Sequence, residues 1–97
     1  MRVVRPQGIL DKNSGSDLLA CIKSVIDEEA EDVWIDCELV TFMDSSGLGC
    51  IIQALKYVRL AGCEMHLCRV NWQLKAVLDL TSANRVLRVH DVVPWSS

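Results

Sequence analysis

Phe42-Met43-Asp44-Ser45-Ser46-Gly47-Leu48-Gly49 is the stretch in which an apolar run of the chain changes into an amphipathic one. Residues 40–43, which lead into it, form a short apolar run of the kind that builds strands. After the stretch, apolar residues recur at helical spacing until about Ala61, and Gly62 follows where a left-handed helix cap is expected. The sequence therefore predicts a strand-to-helix junction, where backbone N–H groups are unpaired and the helix dipole favours negative charge.

The rest of the chain repeats this alternation of short strands and helices. Further strands are predicted at residues 3–5, 33–35, 65–68 and 86–89, with the second of these covered on both faces. Ser14 is predicted to cap the first helix as part of a capping box that ends at Asp17, and Asn71 is predicted to cap the last helix. This alternation predicts an α/β fold with a mostly parallel four-stranded sheet and about three helices.

Composition places the chain among small globular proteins. Its 97 residues are 51% hydrophobic and carry a formal net charge of −3, which fits one domain over residues 1–97. No apolar run approaches the roughly 20 residues of a membrane helix. The first six residues are too short an apolar stretch for a signal peptide. We therefore expect a cytoplasmic protein with no membrane partner.

Charge is unevenly distributed along the chain. Residues 11–44 contain ten acidic residues and two lysines, whereas residues 45–90 contain six basic residues and two acidic ones. Solvated helix faces are one interpretation, and a polarised surface that steers a protein partner is the other. A nucleic-acid partner is disfavoured, because the basic half is sparse and has no interleaved aromatic residues.

The five cysteines argue against both a disulfide framework and a metal centre. Their number is odd, no Cys-x-x-Cys pair occurs, and most of them lie in apolar runs, as small core residues do. This usage is typical of a reducing cytoplasm. His66 and Cys68 could share one face of a strand, but two ligands of mixed type make a poor zinc site. We expect no metal and no cofactor.

The junction at residues 44–49 is the one segment that suggests chemistry. In the simplest interpretation, Asp44 or Ser45 caps the helix and the two glycines allow the turn to pack tightly. Gly47 is then expected to adopt a positive φ, which glycine does readily. A phosphate-binding loop is poorly matched, because the lysine-containing motif and the third glycine of a dinucleotide motif are both missing. A serine nucleophile is matched worse, since no Gly-x-Ser-x-Gly elbow occurs. The remaining interpretation makes a serine here an acceptor of phosphate, which a helix N-terminus accommodates.

At this point the sequence resembles a known family, the STAS domain of bacterial anti-sigma factor antagonists. The resemblance rests first on residues 42–49 with the amphipathic helix that follows them, and it covers roughly residues 8–89. Gly8-Ile9-Leu10-Asp11 resembles a turn of that family, with Ile9 in place of the usual acid. Residues 34–37 stand where the family has its central strand, and residues 71–81 resemble the helix near its C-terminus.

The resemblance implies a switch between partners and not an enzyme. In the family, the serine directly after the aspartate is phosphorylated by an anti-sigma factor that is also a serine kinase, and phosphorylation releases the antagonist until a phosphatase restores it. By position that serine is Ser45. The partner-binding residues implied here are Asp11, on a neighbouring loop, together with Asp44, Ser46, Gly47, Gly49 and Lys56.

The sequence departs from the family pattern at both ends. We expect the family's first strand and last helix to be missing, which leaves the strand near Val3 as an exposed edge of the sheet. A homodimer is one way to cover that edge. Two other functions remain open: a STAS accessory or small-molecule-sensing module of a transporter or signalling complex, and a scaffold protein that depends on no kinase.

Overall fold

Strands and helices alternate in the computed structural model, which describes residues 1–95. Within this range the α-helices are α1 (Lys12–Glu28), α2 (Ser45–Leu60) and α3 (Trp72–Leu80), and a short 3-10 helix follows at Ala83–Arg85. The strands are β1 (Arg2–Val4), β2 (Gly8–Leu10), β3 (Val33–Asp36), β4 (Val40–Met43), β5 (Met65–Cys68) and β6 (Arg88–His90). The predicted α/β class is confirmed.

Four of the strands form one parallel sheet in the order β1-β3-β5-β6. Trp34, on the central strand β3, is level with Val3 on one side and with His66 on the other. β1 is an edge strand, as predicted for the residues near Val3. The remaining strands, β2 and β4, form a separate parallel pair whose register shifts between Gly8 and Ile9.

Two local predictions are wrong, and both concern the chain before α1. The N-cap is Asp11 and not Ser14: the Asp11 carboxylate accepts hydrogen bonds from the N–H groups of Asn13 and Ser14, at 3.0 Å each. Ser14 instead supplies the other half of the capping box, because its hydroxyl oxygen accepts from the Asp11 N–H. The second wrong prediction is the turn at Gly8-Ile9-Leu10, because these residues form β2. The chain turns at Gly8 alone, which has a φ of 74°, and continues from there as a strand.

The predicted ends of the later elements agree with the structure more closely. Asn71 caps α3, and Gly62 follows α2 with a φ of 80°. The last strand begins at Arg88, two residues later than predicted, because the 3-10 turn precedes it. Between His90 and Trp95, the last residue that the structure describes, no helix forms. The prediction of a missing last helix also rests on Ser96 and Ser97, which lie outside the described residues.

The core lies between the four-stranded sheet and the helix pair α1 and α2. Val33 and Ile35 on β3 and Leu67 on β5 are fully buried against Ile22 of α1 and Ile51 of α2. Cys37 also belongs to this core, and burial raises the pKa of its thiol to about 12, so it stays protonated. This agrees with the expectation that most cysteines are small core residues.

The other face of the sheet carries a buried carboxylate. Asp36 is 1% exposed and accepts hydrogen bonds from two arginines, at 3.0 Å from Arg5 Nε and 2.7 Å from an Arg69 terminal nitrogen. Trp95 lies over both guanidinium groups, at 5.6 and 5.9 Å from its ring. Burial alone raises the pKa of Asp36, but the hydrogen bonds from Arg69, the Glu38 N–H and Arg5 outweigh it, and the net shift is downward.

We expect Asp36→Asn to lower the free energy of unfolding by about 2 kcal/mol at neutral pH, because the amide removes the charge that two arginines share. Asp17→Asn, on the exposed side of α1, is the matched control and should change it by less than about 0.5 kcal/mol. Urea unfolding measures both.

The pH dependence tests the same ion pairs. A carboxylate with a lowered pKa in the folded state stabilises the protein fully above its ordinary pKa of 3.8 and loses that contribution as the pH falls through the folded value. The difference in free energy of unfolding between wild type and Asp36→Asn should therefore shrink below pH 3.8. An equal difference at neutral and acid pH would contradict the electrostatic explanation.

Candidate functional site

Two helix N-termini lie side by side at the C-terminal ends of β2 and β4. Since the two strands are parallel and adjacent, Asp11 and Asp44, the residues that follow them, cap α1 and α2 at the same end of the pair. The Asp44 N–H donates to the Leu10 carbonyl at 3.1 Å, and the Asp44 carboxylate accepts from the Gly47 N–H at 2.8 Å. The junction predicted from the sequence is thus confirmed, with Asp44 as the cap.

Ser45 and Ser46 are the first two residues of α2, and both are exposed. They stand on the outside of the turn whose inner side is formed by Gly47 and Leu48, which are both buried. The first turn of α2 contains no acidic residue. A phosphate on Ser45 would therefore meet the positive end of a helix dipole, with the capping Asp44 as its neighbouring carboxylate.

Gly47 is a glycine because the chain of β2 passes directly against it. A Cβ atom at this position would lie 2.2 Å from the Leu10 carbonyl oxygen and 2.6 Å from its carbon. The expected positive φ is not the reason, because the positive-φ glycines are Gly8 and Gly62. Gly47 is buried, so it positions Ser45 from beneath the exposed surface.

Gly15 makes a second close contact, between α1 and α2. A Cβ atom there would lie 2.9 Å from both Cβ and Sγ of Cys50 and 3.3 Å from the Gly47 Cα. The two helices therefore approach each other through small residues next to Ser45. Sequence reasoning misses this contact, because the local pattern puts Gly15 in the cap of α1 instead of in its first turns.

The other predicted site residues are distributed unevenly around Ser45. Gly49 lies in the same helix end, and a Cβ atom built on it meets nothing within 4 Å. Asp11 caps the neighbouring helix, where hydrogen bonds from backbone N–H groups, that of Ser14 first, lower the pKa of its carboxyl and keep it charged. Lys56 is exposed on α2 but lies eleven residues after Ser45, about 16 Å further along the helix axis.

The two histidines contact each other and Trp34 on the four-stranded sheet. His66 Nδ1 and His90 Nε2 are 2.9 Å apart, and the His66 ring stacks on Trp34 with ring centres 4.5 Å apart. Burial first, and then the neighbouring His90, lower the pKa of His66. In residues 1–95 no three potential ligands among His, Cys, Asp and Glu come together as a metal site. The same range holds no helix long and apolar enough to cross a membrane.

The fold and the site together define a class: a small α/β domain that presents an exposed serine at the N-terminus of its second helix. The family model of the STAS domain matches residues 1–94, and the chain belongs to this family.

Relatives in sequence and in structure agree with this assignment. An anti-sigma F factor antagonist of Paenibacillus polymyxa is 29% identical over 90 residues, which cover 92% of this chain and 77% of the relative. TM1081, a protein of Thermotoga maritima assigned to the anti-sigma factor antagonists, has a similar structure with a TM-score of 0.85 and 21% identity, covering 94% of this chain and 79% of that protein.

The anti-sigma factor antagonist SpoIIAA, from Bacillus, is similar to this chain in both of its forms. The unphosphorylated form has a TM-score of 0.71 at 22% identity, covering 94% of this chain and 79% of SpoIIAA. The phosphorylated form has a TM-score of 0.68 at 21% identity, covering 92% and 81%. At this level of identity the solved structures show a shared fold.

The two glycines of α2 should respond oppositely to the same substitution. We expect Gly47→Ala to lower the free energy of unfolding by about 3 kcal/mol, at the upper end of overpacking costs, because backbone blocks the new methyl group. Gly49→Ala should raise it by up to about 1 kcal/mol, since alanine favours a helix and the space is open. Urea unfolding compares both with wild type. A stable Gly47→Ala variant would show that the close approach to Leu10 is not a constraint.

Proposed function

We propose that this chain is a partner-switching regulator of the anti-sigma factor antagonist type, without enzymatic activity of its own. In the proposal, unphosphorylated chain binds an anti-sigma factor that is also a serine kinase, and that partner phosphorylates Ser45. A phosphatase removes the phosphate and restores binding. Since the kinase draws its phosphoryl group from ATP, the exchange takes place in the cytoplasm.

One observation carries the proposal: Ser45 is exposed at the first position of a helix whose inner side is fixed by Gly47 against Leu10. A kinase needs its acceptor hydroxyl accessible and held in one place. The cap by Asp44 and the buried contact of Gly47 provide a rigid support, and exposure provides access. The names of the Paenibacillus relative and of SpoIIAA, which is known in phosphorylated and unphosphorylated forms, support the kind of function.

Electrostatics gives the switch its direction. Transfer of the γ-phosphoryl group of ATP forms a bond from phosphorus to Ser45 Oγ, releases ADP and removes the hydroxyl proton. About 1.5 to 2 negative charges then appear on the surface. A like-charge contact or a desolvated charge at an interface costs several kcal/mol, whereas the helix N-terminus tolerates the phosphate within the domain. Phosphorylation therefore weakens the complex without unfolding the antagonist.

Ser45 should be the main phosphate acceptor. The chain is incubated with ATP and the kinase that copurifies with it, and phosphopeptides are then mapped. The phosphate should be found on Ser45, and Ser45→Ala should abolish phosphorylation. Ser46→Ala, which changes the neighbouring exposed serine, should leave the phosphate in place. Phosphate on Ser46 alone would show that the assignment of the acceptor is wrong.

Charge at position 45 should control affinity. We expect Ser45→Asp to weaken binding of the kinase and Ser45→Ala to keep the chain bound in the presence of ATP, as measured by calorimetry. Ser24→Asp, an equal change of charge at an exposed site on α1, is the matched control and should bind as wild type does. Melting temperatures check that all three variants fold. If the partner captured from lysate is a permease or a transport ATPase, the accessory-module alternative replaces this proposal.

A further inference from the structure

Three large apolar side chains are exposed on neighbouring elements close to Ser45. Ile9 on β2 is 56% exposed, Phe42 on β4 is 45% exposed and Trp72 at the start of α3 is 82% exposed. Ile9 and Phe42 are direct neighbours in the register of the parallel pair. We call Ile9, Phe42 and Trp72 the apolar strip.

Hydrogen bonds fix Trp72 beside β4. The residues on either side of it reach the strand: the Asn71 side-chain amide donates to the Val40 carbonyl at 3.0 Å, and the Gln73 side-chain oxygen accepts from the Met43 N–H at 3.1 Å. The start of α3 therefore lies along the edge of β4 opposite to β2. The apolar strip crosses from β2 over β4 to α3.

The apolar strip is continuous with the proposed phosphorylation site. The chain runs from Phe42 through Met43 and Asp44 directly into Ser45. Three residues of extended chain span at most about 11 Å. A protein that covers the apolar strip therefore also reaches Ser45.

The same hydrogen bonds determine how a partner can bind. Asn71 and Gln73 occupy the outer edge of β4, and on β2 the Ser14 hydroxyl donates to the Ile9 carbonyl at 2.6 Å. Backbone groups of both strands are thus already paired with side chains, which disfavours docking by addition of a strand. A partner must use the side chains of the apolar strip instead.

Charge indicates the chemistry of the occupant. The apolar strip contains no ionisable residue, and the carboxylates of Asp11 and Asp44, which follow β2 and β4 in the chain, accept hydrogen bonds from helix N-termini. Before phosphorylation this surface complements an uncharged apolar face. Phosphate on Ser45 removes that match, because the partner would have to desolvate a dianion beside the apolar strip.

We propose that Ile9, Phe42 and Trp72 form the docking surface for the ATP-dependent serine kinase, which places apolar side chains on them and thereby holds its nucleotide site over Ser45. The inference rests on the proposed function and adds to it the surface that selects the partner. Trp, Tyr and Arg are the side chains that most often dominate binding energy at protein interfaces, and Trp72 is one of them. The regulated contact is then apolar, and the phosphate acts on it from its border.

Site-specific photo-crosslinking in the living source organism tests the surface and identifies the partner in the same experiment. The photoreactive residue p-benzoylphenylalanine is placed at one position in each variant. Two variants carry it in the apolar strip, at Phe42 or Trp72. A third carries it at Ser46, as a reference beside the acceptor serine, and a fourth at Leu80, as a control. Leu80 lies in the same helix as Trp72 and is 85% exposed. We expect positions 42, 72 and 46 to capture one and the same ATP-binding kinase, position 80 to capture none of it, and Ser45→Asp to abolish the adducts.

The outcomes separate this inference from the proposed function. Capture of the kinase at position 46 but not at 42 and 72 would overturn the docking surface and leave the proposed function intact. Failure to capture a kinase at any position, 46 included, would overturn both. An adduct between two copies of this chain at 42 and 72 would show a self-interface and overturn the kinase as occupant.

Affinity gives a second readout with the captured kinase. Trp72→Ala should weaken binding about tenfold, as the loss of a central aromatic contact does, while Leu80→Ala should bind within about twofold of wild type. Both side chains are exposed, so urea midpoints should not change. Equal affinity of the two variants would overturn the role of Trp72.

Discussion

The contact between the first turn of α2 and the carbonyl group of Leu10 is the constraint on which the site depends. It leaves no room for a side chain at Gly47, so helix and strand are in direct backbone contact. The Asp44 N–H adds a hydrogen bond to the same carbonyl oxygen. Gly15 extends the close packing to α1. As a result, β2, α1 and α2 pack in direct contact with one another at one end of the molecule.

This constraint separates the supporting layer of the site from its exposed layer. Gly15 and Gly47 are buried and determine where Ser45 stands, whereas Ser45 itself and the apolar strip are free to face a partner. Stability and recognition thus rest on different residues of the same few turns. Modification at the surface can change binding while the packing beneath it stays as it is, which is what a reversible switch requires.

The sequence predicts the parts of this arrangement that depend on local pattern. The strand-to-helix junction at Asp44, the cap at Asn71 and the central strand around Trp34 follow from periodicity and capping chemistry. The choice between Asp11 and Ser14 as the first cap could not be made locally, because each is a good cap and the two are joined in one capping box. A three-residue strand such as β2 is too short to show a period.

The parts that could not be predicted are contacts between residues far apart in the chain. The close approach of Gly47 to Leu10 and the pairing of Asp36 with Arg5 and Arg69 join segments separated by about thirty residues or more. Ser45 was found through the family resemblance, since many strand-to-helix junctions carry a capping serine. The apolar strip has no signature in the sequence, because Ile9, Phe42 and Trp72 come together only through the packing of β2, β4 and α3.

The order of the strands in the sheet has a consequence for how the protein is made. Because the order β1-β3-β5-β6 follows the order of the chain, each strand leaves the ribosome after the neighbour on which it docks. The sheet therefore grows in one direction during translation, and β2, β4 and the first two helices are complete before β5 is synthesised. The end that carries Ser45 can be assembled on the nascent chain, while Trp95 can cover the two arginines only after β6 has been synthesised.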